Sequence, residues 1–232
     1  MKTVCIIQQR MGSTRLPGKA LLPLCGIPMT QHIVDRCKRA KLVDEVVVAC
    51  PVKDLLALRD ACYTADHIYA PPVEENDLIG RYYAIAQLTK ADLVVRVSGD
   101  NPCIEPAEID GLIRWFIALG RPNHLRHLLI NSEDRNWDAD GFGGELYPIE
   151  MLMWMDRTIK NPVYREHPHK FWLDEGKGTY CGKPYPKYFR LDVNTQADYE
   201  KIRDIYEALY PKNHEFGIKE VLEYLNGKDN NQ

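Results

Sequence analysis

Lys2-Thr3-Val4-Cys5-Ile6-Ile7-Gln8-Gln9-Arg10-Met11-Gly12-Ser13-Thr14-Arg15-Leu16-Pro17-Gly18-Lys19 sets a short apolar run directly in front of a cationic, glycine-bearing loop. The run has no helical period and is rich in β-formers, so Lys2–Gln9 reads as a buried strand. Gly12, Pro17 and Gly18 break any regular element, so residues 10–19 read as a loop. Outward from this pair the same alternation repeats. Pro28 opens a helix carrying Ile33, Val34, Cys37 and Ala40 at helical spacing. Val43–Cys50 is a second strand that Pro51 ends, and Lys53–Tyr63 is a helix. A short strand at His67–Ala70 and a helix from Asp77 to about Lys90 follow. Asp92–Ser98 is the next strand, Gly99-Asp100-Asn101-Pro102 its turn, and Glu105–Leu119 a helix that Pro106 opens. This pattern predicts an α/β fold with a mostly parallel central sheet and helices on both faces. Ligands of such sheets bind outside the carboxyl ends of the strands. The two loops richest in chemistry, 10–19 and 99–102, both leave strands directly.

Beyond about residue 120 the pattern loosens. Leu125–Asn131 and Phe142–Tyr147 read as strands and Ile149–Lys160 as a helix with a Met- and Trp-rich face. Proline- and glycine-bearing turns between 161 and 186 suggest a small lobe, at about 132–186, inserted before a last strand at Tyr188–Val193. A helix that Thr195 caps runs to Leu209, and Phe216–Asn226 closes the chain. Residues 1–232 thus read as a single domain. Met151, Met153, Trp154 and Met155 are assigned to an interface between subunits.

The 232 residues are 45% apolar, enough for a continuous core. A net charge of −3 argues against a nucleic-acid partner, which needs a basic surface. The seven cysteines (5, 25, 37, 50, 62, 103 and 181) are scattered without a C-x-x-C pair, as expected of reduced thiols in a cytoplasmic protein. The apolar start is too short for a signal peptide, and no run approaches the ~20 residues of a membrane span.

Arg10–Lys19 packs three cations, two hydroxyls and two glycines into ten residues. Glycines let backbone N–H groups close on an anion, arginine adds planar forks for phosphate oxygens, and lysine adds a mobile charge. That is the equipment a triphosphate needs. The loop is not a Walker A motif, because five residues separate Gly12 from Gly18 and Ala20 follows Lys19. Asp100, at the end of a buried strand, is a natural Mg²⁺ ligand, since that ion is held by one or two carboxylates plus substrate phosphates. Arg81 is a candidate nucleotide ligand, whereas Asp77 favours a helix start by its charge alone. Arg165 could clamp a carboxylate or phosphate bidentately. His167-Pro168-His169 is too sparse for a metal site.

Ile7 to Lys19 closely resembles the signature of the spore-coat polysaccharide cytidylyltransferase-like family, relatives of the synthetases that make CMP-ketodeoxyoctonate and CMP-sialic acids. The resemblance extends to Asp92–Pro102, Glu74–Tyr83, Asp138–Glu145, Arg165-Glu166-His167 and Arg190–Asp198. It implies a nucleotide-diphospho-sugar transferase-like fold with a small dimerisation lobe, and hence a homodimer. It implies that CMP passes from CTP to an acidic sugar or sugar-like acid, for surface polysaccharide or glycoconjugate synthesis, and that pyrophosphate leaves. Gln8, Arg10, Met11, Gly12, Ser13, Arg15, Lys19, Arg81, Ser98 and Gly99 would bind the nucleotide, with Arg15, Lys19 and Asp100 catalytic. Asn101, Asp140, Glu145, Arg165, His167 and Arg190 would face the acceptor. Mg²⁺ would sit on Asp100 and Asp192, because Asn194 stands where relatives usually carry aspartate and Asp192 shares its strand face. Two other readings stay open. One is a metal-dependent glycosyltransferase using Asp138-Ala139-Asp140 as a D-x-D site. The other is a non-catalytic nucleotide-binding homologue, motivated by Asn194.

Overall fold

The N-terminal run forms β1 (Thr3–Gln8), buried along its length apart from half-buried Gln8. The structure, a computed structural model, describes residues 1–120, 128–130, 139–181 and 189–229. A tight hairpin of β2 (Pro23–Leu24) and β3 (Ile27–Pro28) leads into α1 (Met29–Lys38). Strand and helix then alternate through β4 (Glu45–Ala49), α2 (Leu55–Ala61), β5 (His67–Tyr69), α3 (Leu78–Thr89), β6 (Leu93–Ser98) and α4 (Pro106–Ala118). The later chain supplies β7 (Leu128–Ile130), β8 (Ala139–Asp140), β9 (Glu145–Pro148), α5 (Ile149–Thr158), α6 (Pro162–Glu166) and α7 (Pro168–Asp174). It ends through β10 (Gly178–Tyr180), β11 (Phe189–Arg190), α8 (Gln196–Leu209) and α9 (Ile218–Asp229).

Seven strands form one sheet in the order β10-β7-β9-β6-β1-β4-β5. β1 lies parallel to β4 and β6, and only β9 runs antiparallel to its neighbours β6 and β7. The register aligns Gln8 with Ala49 and with Ser98, so three strands end together at one edge of the sheet. Because both faces of β1 are covered, it reads as a continuous apolar run rather than an alternating one. Cys5 and Ile7 face a cluster with Ile33 and Cys37 of α1, Leu58 of α2 and Ile109, Leu112 and Phe116 of α4. Val4 and Ile6 face Ile79, Tyr82 and Ile85 of α3, Met151 and Met155 of α5 and Trp172 of α7. Mostly parallel strands with helices on both faces are therefore what the chain builds. No helix among the described residues is long and apolar enough to cross a membrane.

Local chemistry fixes the helix starts near the strand edge. Asp77 caps α3 by accepting from the Gly80 amide at 2.9 Å. Thr195 and Asp198 form a reciprocal capping box at the start of α8.

Three expectations change. The stretch 132–186 contributes β9 and β10 to the central sheet, because β9 pairs along β6 from Arg96–Glu145 to Leu93–Pro148. Met151 and Met155 are core residues packed on α3, not interface residues, while Trp154 leans on Phe171 and Trp172. Of the expected strand 188–193, among the described residues only Phe189–Arg190 pairs, with β8 in a separate two-stranded sheet. Asp138 and most of 125–131 lie outside the described residues.

Candidate active site

The chain leaves β1 and β6 side by side, and the two turns are locked together. The Gly99 amide donates to the Gln8 carbonyl at 2.9 Å. A Cβ on Gly99 would overlap that carbonyl and the Gln9 amide, so the approach requires glycine. Gln9 Nε2 donates to the Gly99 carbonyl at 3.0 Å, tying the root of the 10–19 loop to the Asp100 turn.

The loop folds back on the Met11 carbonyl, which accepts from Ser13 N at 3.0 Å and Gly18 N at 3.2 Å. Gly18 sits at φ +71°, where a side chain would be strained, and delivers the chain into a short 3₁₀ turn holding Lys19. The amide of Met11 is anchored on Asp54 Oδ2 at 3.0 Å. The amides of Gly12, Thr14 and Arg15 donate to no protein acceptor among the described residues. Thr14 and Arg15 thus present two successive open N–H groups, the kind of backbone that forms an anion-binding concavity.

The loop roofs a cleft of about 190 Å³. Gln8, Gln9, Arg10, Ser13, Thr14, Arg15 and Lys19 line one side, and Ser98, Asp100, Arg96 and Asn194 the other. Glu75, Asn76, Leu78, Glu166 and His167 complete its rim. Lys19 is only 6% exposed, with Nζ 2.8 Å from Asp100 Oδ1 and donating to the Val193 carbonyl at 2.7 Å. Arg15 donates to Asn194 Oδ1 at 2.7 Å, and Arg10 reaches Asn76 Oδ1 at 3.4 Å.

The segment after β11 is held beside this turn by Val193 N donating to the Asp100 carbonyl at 2.8 Å. Gly141, at φ +93°, lets the chain pass against the Leu191 and Asp192 backbone where a Cβ would collide. Asp192 is buried and fully engaged: Arg190 grips it through Nε at 3.0 Å and Nη2 at 2.7 Å, and Asn194 Nδ2 also donates to it. Among the described residues no cluster of three or more His, Cys, Asp or Glu side chains could hold a metal alone. A magnesium ion fits only in the form such ions commonly take, with Asp100 and substrate phosphate oxygens sharing the coordination. Asp192 fits that shell less well, because a ligand role would require it to release Arg190.

The far wall of the cleft differs from the sequence expectation. Arg96, a lone charge in the apolar strand β6, lines the cleft and is backed by Glu145 at 2.6 Å. Glu145 is 0% exposed, so it reaches the cleft only through Arg96, correcting its direct acceptor role. Burial alone would push the Glu145 carboxyl up, but Arg96, His169 and Tyr147 outweigh it and hold the group down at about 2. Arg165 is not a free clamp. Its Nε and Nη2 meet Asp77 at 2.8 Å each, Nη2 meets Asp156 Oδ1 at 2.7 Å, and Nη1 donates to the Ile159 carbonyl at 2.9 Å. Burial pulls its pKa down, yet Asp77 and Asp156 keep it above the ordinary value.

Arg81 is likewise held by the scaffold through part of its guanidinium. It is fully buried and grips the Glu74 and Glu75 carbonyls at 3.2 and 3.0 Å, holding the rim segment and touching Gln8 Oε1 at 3.5 Å. Asn101 is buried inside its turn and is not part of the cleft wall. Asp140 is placed by its backbone opposite Arg190 in the small sheet. Of the expected acceptor residues whose side chains are described, His167 is on the cleft wall, where burial lowers its pKa first of all. Arg96 and Glu166 were not singled out from sequence. For Arg96 the signal was present, since a charge inside a buried apolar strand calls for a reason.

The family model described as Cytidylyltransferase matches residues 4–120, which carry the loop, Lys19 and Asp100. The chain belongs to the cytidylyltransferase family. A cytidylyltransferase from Leptospira borgpetersenii serovar Hardjo-bovis superposes with a TM-score of 0.86 at 26% identity, over 99% of this chain and 96% of that one. The spore coat polysaccharide biosynthesis protein SpsF of Bacillus subtilis is 26% identical over 214 residues, 87% of this chain and 85% of that protein. The 3-deoxy-manno-octulosonate cytidylyltransferase of Geobacter metallireducens is 40% identical over 119 residues, 51% of this chain and 46% of that protein. This chain thus spans about half the length of the curated cytidylyltransferases it matches first.

Proposed function

We propose that the chain transfers CMP from CTP to an acidic sugar or sugar-like acid and releases pyrophosphate. The observation that carries this reading is the roof of open amides and cations, Arg10 to Lys19, placed over Asp100 at the carboxyl ends of β1 and β6. Family membership supports the nucleotidyl chemistry, and the likeness to a 3-deoxy-manno-octulosonate cytidylyltransferase supports an acidic sugar as acceptor. The likeness to a spore coat polysaccharide protein supports surface polysaccharide synthesis as the setting.

In this reaction an acceptor hydroxyl attacks the α-phosphorus and the bond to the bridging oxygen of pyrophosphate breaks. The loop amides and Arg10 and Arg15 bind the β- and γ-phosphates and stabilise the charge that gathers on the leaving group. Lys19, held in place by Asp100 and the Val193 carbonyl, adds its charge from below. Arg96, fixed by buried Glu145, presents a cation to the acceptor carboxylate, with His167 beside it. Mg²⁺ belongs to this proposal: with Asp100 and phosphate oxygens as ligands it would neutralise phosphate charge. A cytoplasmic setting accords with the seven free thiols, and a homodimer is carried over from the family resemblance, with solution mass as its test.

The test is thermal unfolding with CTP, UTP, ATP and GTP, each with and without Mg²⁺. At a hundred times its Kd a ligand stabilises the fold by about 2.7 kcal/mol, and we expect this shift for CTP above the others. Lys19→Ala and Asp100→Ala should each lower CTP-dependent pyrophosphate release by about 10²–10³-fold or more. Near-normal release in both variants would overturn the reading.

A further inference from the structure

A second cavity, of about 280 Å³, lies between α1 and α8 and is closed by residues 210–216. Its lining carries two arginines of one helix end, Arg36 and Arg39, with His32, His214, Tyr206 and Tyr210 around them. Arg36 is 4% exposed. Its Nε donates to the Pro102 carbonyl at 3.0 Å and its Nη1 to the Phe216 carbonyl at 2.8 Å, while the guanidinium lies 4.5 Å from the centre of the Phe216 ring. Its Nη2 and the Nε of Arg39 are buried and have no hydrogen-bond partner among the described residues. Neither guanidinium is ion-paired with a carboxylate among the described residues.

Two acids also face the cavity. Asp35 is occupied, accepting from Gln31 and Thr64 at 2.7 Å each. Glu215 lines the cavity, makes no side-chain hydrogen bond among the described residues, and acts on Arg39 through its charge. Burying an unpaired guanidinium is costly, and native proteins seldom leave such donors unused without a reason. Two adjacent cations lining one cavity, walled by aromatic rings such as the Tyr210–His214 stack at 4.4 Å, match a phosphate group on a small molecule.

We propose that this cavity is a second binding site, for a phosphate group, either free or carried by a small metabolite. It is separate from the cleft, and its existence does not depend on the reaction proposed above. The two sites share one structural point. Arg36 and, through its hydroxyl at 2.5 Å, Tyr206 both bind the Pro102 carbonyl, two residues beyond Asp100. Occupancy would therefore bear on the turn that carries Asp100.

The experiment is calorimetric titration with inorganic phosphate and with glucose 6-phosphate, together with NMR of the His32 and His214 rings. It uses Arg15→Ala/Lys19→Ala protein, in which the cleft no longer holds phosphates. Binding of either probe with shifts of both histidine rings is expected; inorganic phosphate alone would mark a free-anion site, and the ester alone a metabolite site. Adding Arg39→Ala should weaken that binding by about tenfold or more. Should Arg39→Ala unfold, His214→Ala, which removes a wall ring, is the deciding variant and should weaken binding in the same direction. No binding in the cleft-silenced protein, or affinity indifferent to Arg39 and His214 changes, would overturn the proposal.

Discussion

On the loop side of the cleft, Arg10 and Arg15 each spend a hydrogen bond on a neutral side-chain amide, and three loop amides have no protein acceptor among the described residues. On the facing side, Arg96 is paired with buried Glu145, Arg165 with Asp77 and Asp156, and Arg81 with two backbone carbonyls. All these cations look alike in sequence, each lying near glycines or acids. What separates them is who already holds their donors. A guanidinium has five N–H groups in a fixed fork, and one gripped by two carboxylates has little left for a ligand. Arg10 and Arg15 keep most of their donors for a ligand, whereas Arg165 spends its donors on the scaffold.

The largest effect that could break this comparison is at Glu145. Replacing it as Glu145→Gln leaves Arg96 and His169 around a neutral group in a dry site and should cost about 3–5 kcal/mol in urea unfolding. The same carboxyl predicts a pH signature. It is held at about 2 in the folded chain against an ordinary 4.5, so the unfolded chain takes up the proton first and stability falls with acid. About 3 kcal/mol of stabilisation should be complete above 4.5 and lost progressively as pH falls toward 2. Glu145→Gln should show none of that loss. A wild-type curve that is flat across this window would mean that Glu145 is not charge-paired with Arg96.

Arg165 offers a smaller effect with a cleaner contrast. Arg165→Met strands Asp77 and Asp156 and loosens the packing of α3 against α5 and α6, so about 2–3 kcal/mol of stability should go. CTP-dependent thermal shifts should survive, scaled only by the new baseline. Unchanged stability with lost acceptor turnover would instead make Arg165 a ligand residue and collapse the distinction between the walls.

Much of the loop wall was legible in sequence because its evidence is local. Glycines, hydroxyls and cations stand within ten residues of one strand end, and strand ends of parallel sheets gather ligands. The strand–helix alternation up to residue 119 was legible for the same reason, and the helix starts at Asp77 and Thr195 announce themselves by side-chain type. The far wall was not. Whether Arg165 is free depends on Asp77, 88 residues away, and whether Glu145 faces a ligand depends on Arg96, 49 residues away. The placement of β9 inside the main sheet is likewise a matter of long-range pairing, so the 132–186 stretch looked like an insertion. Spacing along the chain carries no information about partners at that distance.

Asn194 joins the two regions and gives the smallest and sharpest test. Its Oδ1 holds Arg15 and its Nδ2 donates to Asp192, so one neutral side chain spaces a loop cation from a buried carboxylate. Asn194→Asp keeps the acceptor for Arg15 and makes it charge-assisted, but it removes the donor to Asp192 and sets two carboxylates together beside the Asp100 turn. Their repulsion is relieved by a cation. Arg190 already supplies one, and a divalent ion shared with Asp100 would supply another. Mg²⁺ should then support CTP binding at about tenfold lower concentration, about 1.4 kcal/mol, read as a leftward move of the magnesium titration of the CTP thermal shift. At the same time Arg15, pinned by a full charge, should contribute less to the triphosphate, so affinity without magnesium should fall. A titration unmoved by Asn194→Asp would show that Asp100 and the phosphates suffice, and that Asn194 serves only to aim Arg15. Movement in both directions would show that this asparagine trades metal affinity for a freer arginine.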